Sequence, residues 1–351
     1  MGLSRKVFFL MLLSFLLIPL SGFASEAGLP NQTMGNTLYA AAAEQPMTPD
    51  IKQEPSASGI KGFTQTFKSG GGYLDLGLRT GYIYGQNTYD LNHHVSELEF
   101  PFRAYLGGGK MNVGYKDLSI NSEVWGSIID DPSAGWHTKD KDWRTTDGAL
   151  YSDTKSYSDT NAIIWDANLR YNIFRYSFDQ KKAYSTDRNS DNIKVGVLLG
   201  YRYERFGYKD YGLYQTCYDD SSYGDGEMVS EYKVKYRLPY YGMAMDLKNN
   251  KFGVSMSAKY GFKVHAQDYD NHVLRDLHFY GDYKSNGNVF MANFSLFWNF
   301  WKNWEASVGA DAALIRINGA TWDDTHNPSW DTDQSIDTQQ FIYWMGLGYK
   351  F

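Results

Sequence analysis

From about residue 70 to the carboxy terminus, apolar and polar residues alternate at period two, the pattern of strands with two unlike faces. The clearest run sets Phe252, Val254, Met256, Ala258, Tyr260, Phe262 and Val264 on one face. Gly253, Ser255, Ser257, Lys259, Gly261, Lys263 and His265 fall on the other. Leu98, Phe100 and Phe102 alternate in the same way with Glu97, Glu99 and Arg103, and Trp304, Ala306, Val308 and Ala310 with Glu305, Ser307, Gly309 and Asp311. Charges on the inner face of a dry sandwich would be prohibitive, whereas a watery barrel lumen hydrates them.

Ten such segments are predicted, at approximately 71–84, 96–107, 111–127, 162–177, 193–210, 229–246, 251–267, 277–298, 303–318 and 339–351. Residues 107–110, 248–250 and 300–302 read as tight turns, and 128–161, 211–228, 268–276 and 319–338 as long polar loops. This alternation of short and long connections predicts an all-β fold, a ten-stranded antiparallel transmembrane β-barrel with its turns in the periplasm and its loops outside. One inner connection, 178–192, is longer than that rule predicts. Many strands exceed the ~9–11 residues needed to cross a bilayer, so the outer rim is expected to stand above the lipid.

Two segments precede the barrel. Arg5 and Lys6, an apolar run over 7–20 and Ser21-Gly22-Phe23-Ala24 read as a signal peptide over 1–24. Residues 25–69 lack periodicity and include a Pro/Ser/Gly-rich stretch, which predicts a flexible periplasmic arm before the barrel at 70–351. Composition then narrows the class. Aromatic residues make up 17% of the chain, led by 29 Tyr, as interfacial girdles require. A net charge of −6 does not suit a strongly cationic nucleic-acid binder, and a single Cys builds neither a disulfide framework nor a thiolate metal site. The seven His are scattered without a His-Glu-x-x-His pattern, so no metal is expected.

The candidate chemistry lies near one end of the predicted strands. Asp140 and Asp142 stand two residues apart in Lys139-Asp140-Lys141-Asp142-Trp143, and Asp270 and His272 in Asp268-Tyr269-Asp270-Asn271-His272. In extended backbone an i, i+2 pair points one way. Two carboxylates on one face can hold a water, and a carboxylate beside His272 fixes its tautomer, which is the equipment of a hydrolase. If alternation ran unbroken from the Phe252 face, however, Asp270 and His272 would point outwards. A bulge or bend near residues 265–269 is therefore expected to re-aim them.

These residues resemble the omptins, ten-stranded outer-membrane endoproteases, in four ordered places. Asp140-Lys141-Asp142-Trp143 is similar to the family's Asp-x-Asp-Trp motif and Asp268-Tyr269-Asp270-Asn271-His272 to its Asp-x-Asp-x-His motif. The stretch 151–160, which carries Asp153, resembles a family signature but departs from it at Lys155, Tyr157 and Ser158. Gly200-Tyr201-Arg202-Tyr203-Glu204-Arg205-Phe206 resembles a second signature. The resemblance implies that Asp140 and Asp142 activate water, that His272 is the general base oriented by Asp270, and that Asp268 and Asp153 bind substrate. It implies lipopolysaccharide as an activating lipid, held by Tyr201, Arg205, Lys235 and Lys284, with Tyr203 replacing an acidic residue of that site. An ungapped alignment from Ser96 sets Ile83 where the family has a Glu that favours basic substrates, so a dibasic preference is not implied. Lys139 and Lys141 are expected to weaken the negative field further. The expected protein is a monomeric outer-membrane peptidase with its site outside, peptide substrates and no cofactor. An inactive barrel acting as adhesin or receptor, and a porin, are the alternatives.

Overall fold

A computed structural model of the chain describes residues 72–91, 95–130, 137–143, 148–177, 192–217, 220–223, 226–249, 251–273, 276–323 and 332–351. The segments expected as signal peptide and arm, and most of the connection 178–192, lie outside the described residues. Those described form twelve antiparallel strands: β1 (Gly72–Leu91), β2 (Ser96–Tyr115), β3 (Leu118–Asp130), β4 (His137–Trp143), β5 (Leu150–Ser177), β6 (Asn192–Cys217), β7 (Asp220–Tyr223), β8 (Met228–Lys248), β9 (Phe252–His272), β10 (Leu277–Trp301), β11 (Trp304–Asp323) and β12 (Thr332–Lys350).

The sheet closes on itself because β1 pairs with both β2 and β12. β3 and β4 share one position in the ring: β2 pairs with β3 through residues 104–115 and with β4 through 96–99, and β5 pairs with both. β7 is a short flap on the end of β6. Ten positions therefore close the ring, as the alternation predicts.

Two sequence expectations move. Residues 107–110 are not a turn but the middle of β2, and residues 111–115 belong to β2 rather than to the next strand. Their glycines serve close packing, since a Cβ on Gly108 would meet the Val124 carbonyl at 2.3 Å and the Trp125 ring at 2.7 Å. The chain reverses instead at Lys116-Asp117, where Lys116 takes φ 54°. The long outer connection 128–161 is largely strand as well, made of β4 and the first part of β5. Its buried inward residues are polar, Thr138, Ser152, Ser156 and Thr160 among them, so no hydrophobic alternation reveals it.

Outward side chains such as Leu78, Leu199, Met243, Phe262, Trp298 and Met345 are more than half exposed or nearly so, and form the apolar belt that lipid solvates. Inside this belt the lumen holds charge. Arg79 pairs with Glu123 at 2.6 Å, Lys259 with Asp166 at 2.7 Å and Arg170 with Asp246 at 2.8 Å around a cavity of about 310 Å³. Toward the outer end, aromatic rings from β1, β2, β6 and β8 meet across the lumen. Phe100 stacks on Tyr232 at 4.4 Å, Tyr89 abuts Tyr232 at 4.7 Å, and Phe102 stacks on Phe206 at 4.9 Å. Asn87 and Thr338 tie this floor together, with Asn87 Nδ2 donating to the Tyr208 hydroxyl at 2.6 Å. Strands such as β9 have 21 residues, roughly 70 Å of chain at ~3.3 Å per residue, and so continue well past the belt.

Candidate active site

β9 reaches the site through a change of parity. Tyr260 and Phe262 face out, at 41% and 55% exposure, yet Val264 and Ala266 are buried at 0% and 1%. Between them Lys263 adopts φ 66° and has no Cα partner on β10, where Val264 pairs with Gly287 and Phe262 with Asn288. One extra residue in one strand shifts the alternation by one. Even-numbered positions thereafter point inward, including Asp268, Asp270 and His272. The expected re-aiming device is present, slightly earlier than residues 265–269, and Val264 leaves the face assigned to it from the sequence.

His272 Nε2 lies 3.0 Å from Asp270 Oδ2. A proton on Nε2 donated to this carboxylate leaves Nδ1 with its lone pair, the tautomer a general base needs. Phe279, the Cα partner of Asp270, packs its ring edge-on to the imidazole at 5.4 Å and limits its rotation.

On β4 the inward residues are Thr138, Asp140 and Asp142. Lys139 and Lys141 face outward, opposite Glu99 and Glu97, with Nζ–carboxylate distances of 2.7 Å and 3.9 Å. Their charge is therefore compensated on the outer face, contrary to the expectation that it weakens the field at the carboxylates. Asp153 is also on that outer face: it is the Cα partner of Lys141 and lies 3.8 Å from Lys155. The structure does not bring Asp153 to the inward carboxylates. Period-two alternation separates it from Ser152 and Thr154, which line the inner side opposite Asp142 and Asp140.

Asp268, one step below Asp270, accepts hydrogen bonds from the hydroxyls of Tyr232 at 2.6 Å and Tyr283 at 3.1 Å. Burial pushes its carboxyl up to about 6, against the lowering effect of those two donors and with a further push from the charge of Asp270. Ile83 lies in an apolar layer with its Cα partners Ala104 and Ile342 and offers no second carboxylate.

Of the residues expected to bind lipid, Arg205 and Lys235 are Cα partners on the outer wall of β6 and β8. Tyr201 lies further down the same face of β6, its ring 6.2 Å from that of Trp165. Lys284 is on β10, 80% exposed and 3.2 Å from Asp282. Asp282 also lies 2.7 Å from His265 Nε2.

Sequence reasoning missed two groups here. The tyrosines that hold Asp268, Tyr232 and Tyr283, carry no motif that singles them out, and Asp210 only closes the predicted segment 193–210. The signal for Asp210 was its phase, since it follows Glu204, Phe206 and Tyr208 on the inward face of β6.

The chain matches the Omptin family over residues 70–351. It is 24% identical over 295 residues to the plasminogen activator of Yersinia pestis, covering 78% of this chain and 88% of that one. Protease 7 of Escherichia coli (strain K12) is 22% identical over 281 residues, 73% of this chain and 82% of the relative. The crystal structure of outer membrane protease OmpT from Escherichia coli superposes with a TM-score of 0.65 at 18% identity, covering 80% of this chain and 97% of the other. A family match over the whole barrel, on a fold of the same architecture, makes this chain a member of the omptin family.

Proposed function

We propose that this barrel is a cell-surface endopeptidase in which Asp140 and Asp142 hold a water and the Asp270–His272 couple activates it. The observation that carries the reading is the inward Asp270–His272 couple, set by the parity change at Lys263 on the tier that Thr138 of β4 joins through Asp210. His272 Nδ1 takes a proton from the water as its oxygen attacks the scissile carbonyl carbon. The resulting imidazolium, stabilised by Asp270, returns that proton to the leaving amine as the carbon–nitrogen bond breaks. Asp140 and Asp142 orient the water and share the developing positive charge as its proton departs. The activities named for the relatives, a plasminogen activator and a protease, agree with this chemistry.

Asp268 lies below the attack site and accepts two tyrosine hydroxyls, with no carboxylate at Ile83 to reinforce it. The pocket is therefore weakly anionic and aromatic-walled, suited to a neutral or singly basic residue rather than strictly to Arg or Lys. Lipopolysaccharide phosphates are assigned to Arg205 and Lys235, with Tyr201 and Lys284 at the margins, as a cation pair on the outer wall would hold them. The working unit in this reading is the monomer. A pore is disfavoured because the rings of Tyr89, Phe100, Tyr208 and Tyr232 fill the lumen below the site.

The test is digestion of a diverse peptide library by the refolded barrel with lipopolysaccharide, beside Asp142→Ala and His272→Ala. Cuts made by the wild type and lost in both variants support the reading. A wild type that cuts nothing while correctly folded leaves the adhesin or receptor alternative.

A further inference from the structure

Asp210 takes no part in the chemistry just described, yet it is a carboxylic acid 1% exposed in the barrel wall. Thr138 Oγ1 of β4 donates to its Oδ1 at 2.8 Å, and Ser230 Oγ of β8 donates to its Oδ2 at 2.5 Å. Each oxygen thus holds a different strand. Thr138 is two residues from Asp140 on the same inward face. Ser230 is the Cα partner of Asp210 and two residues from Tyr232, which pairs with Asp270. Burying a carboxyl where an alkyl group would fit costs several kcal/mol unless its hydrogen bonds are met. Here they are met by strands carrying, or pairing with, the two halves of the candidate site.

We propose that Asp210 is a positioning residue for the hydrolysis: it clamps β4 to β8 and thereby sets Asp140 and Asp142 in one tier with Asp270 and His272. The inference rests on the hydrolytic reading above. Its charge is the second handle. Thr138 faces Asp210 from β4, Ser158 from β5, Ser230 from β8, Asp270 from β9 and Tyr208 from its own strand. Asp270 is the one other acid among them, and the two carboxyls repel. Asp210 ionised stabilises the imidazolium that Asp270 holds, and Asp210 neutral does not.

The experiment uses the refolded full-length chain with lipopolysaccharide. It compares Asp210→Ala, Asp210→Asn and the double variant Thr138→Val/Ser230→Ala with wild type, measuring kcat and KM against pH. The imidazole of His272 is followed by NMR titration, with His272→Gln assigning its signal. The expected result is a kcat for Asp210→Ala lower by about ten- to a hundredfold at little change in KM, with the double variant similar. Asp210→Asn, whose amide can accept one hydroxyl and donate to the other, recovers most of the rate. Its His272 midpoint and the acid limb of its cleavage profile move down by roughly half a pH unit or more, because an anion has been removed. A His272 midpoint unmoved in Asp210→Asn overturns the proposal whatever the rates do, as does an Asp210→Ala protein that cleaves like wild type. If the wild type cleaves nothing but the midpoint moves, the hydrolytic reading falls and the linkage stands.

Discussion

Lys263 determines where His272 points. The left-handed backbone at Lys263, φ 66°, inserts one residue between the outward Phe262 and the inward Val264, and every side chain from there to His272 inherits the new phase. A β-strand has only two faces, so a single bulged residue nine positions away turns His272 from the outer face to the lumen.

Deleting Lys263 should leave Asp268, Asp270 and His272 inward, because Val264 then follows the outward Phe262 directly, whereas inserting one residue between Ala266 and Gln267 should turn all three outward. With the insertion, cleavage is expected to fall to background in a protein that still folds as a barrel by circular dichroism. Lys263→Gly should keep full activity and gain about 1 kcal/mol of stability, because glycine takes this backbone conformation without strain. Wild-type rates in the insertion protein would show that strand parity does not direct the site.

His272→Ala should lower kcat by about a thousandfold and Asp270→Ala by about a hundredfold, each with KM within a few-fold of wild type. The order follows from the geometry, since His272 touches the water and Asp270 touches only His272, at 3.0 Å. Steady-state kinetics on one peptide decides it.

Two carboxyls above the membrane belt, Asp210 and Asp268, are both pushed up to about 6 by burial. Their folded values exceed the unfolded ones, so the native state holds these protons more tightly. The stability they contribute is present in full below about pH 4 and is lost as pH rises through about 6, roughly 2–3 kcal/mol for the fully buried Asp210. Denaturant unfolding of wild type and Asp210→Asn between pH 4 and 7 should show the wild-type curve falling and the variant flatter.

The same titration bears on substrate choice. As pH rises past 6, Asp268 gains its charge, and the preference for a basic over a neutral residue before the cut should grow. Asp268→Asn should abolish that trend. Tyr232→Phe and Tyr283→Phe, by removing donors to the carboxylate, should delay it to higher pH. Cleavage ratios for paired peptides differing only at that residue supply the readout.

On the outer wall, Arg205→Ala and Lys235→Ala should each raise the lipopolysaccharide concentration needed for half-maximal activity. Lys284→Ala should matter less, because its ammonium is 80% exposed and already 3.2 Å from Asp282. Equal effects of all three would point to a diffuse charge attraction instead of a site.

Much of this was legible in the sequence for physical reasons. Period two over residues 252–262 is enforced by lipid on one side and water on the other, so the barrel and its ten positions could be read directly. Legibility ended where both faces of a strand are wet. Residues 150–161 looked like loop because Ser152, Ser156 and Thr160 face inward while exposed polar residues such as Asp159 and Asn161 face out. Three consecutive glycines at 107–109 looked like a turn, although at Gly108 the missing side chain makes room for Trp125. The i, i+2 carboxylate and histidine pairs marked the candidate site, but Asp153 was assigned by motif without its phase, which puts it on the other face. Asp210 was invisible because its partners, Thr138 and Ser230, lie 72 and 20 residues away.

The most direct test of the account is a double-mutant cycle on one cleaved peptide with wild type, Asp140→Ala, His272→Ala and the combined variant. Groups that act on one water should not add: the double variant is expected to be no slower than the slower single one, with both singles at least about a hundredfold below wild type. Losses that multiply across the cycle, or a single variant that cleaves at the wild-type rate, would contradict a site assembled from these two strands.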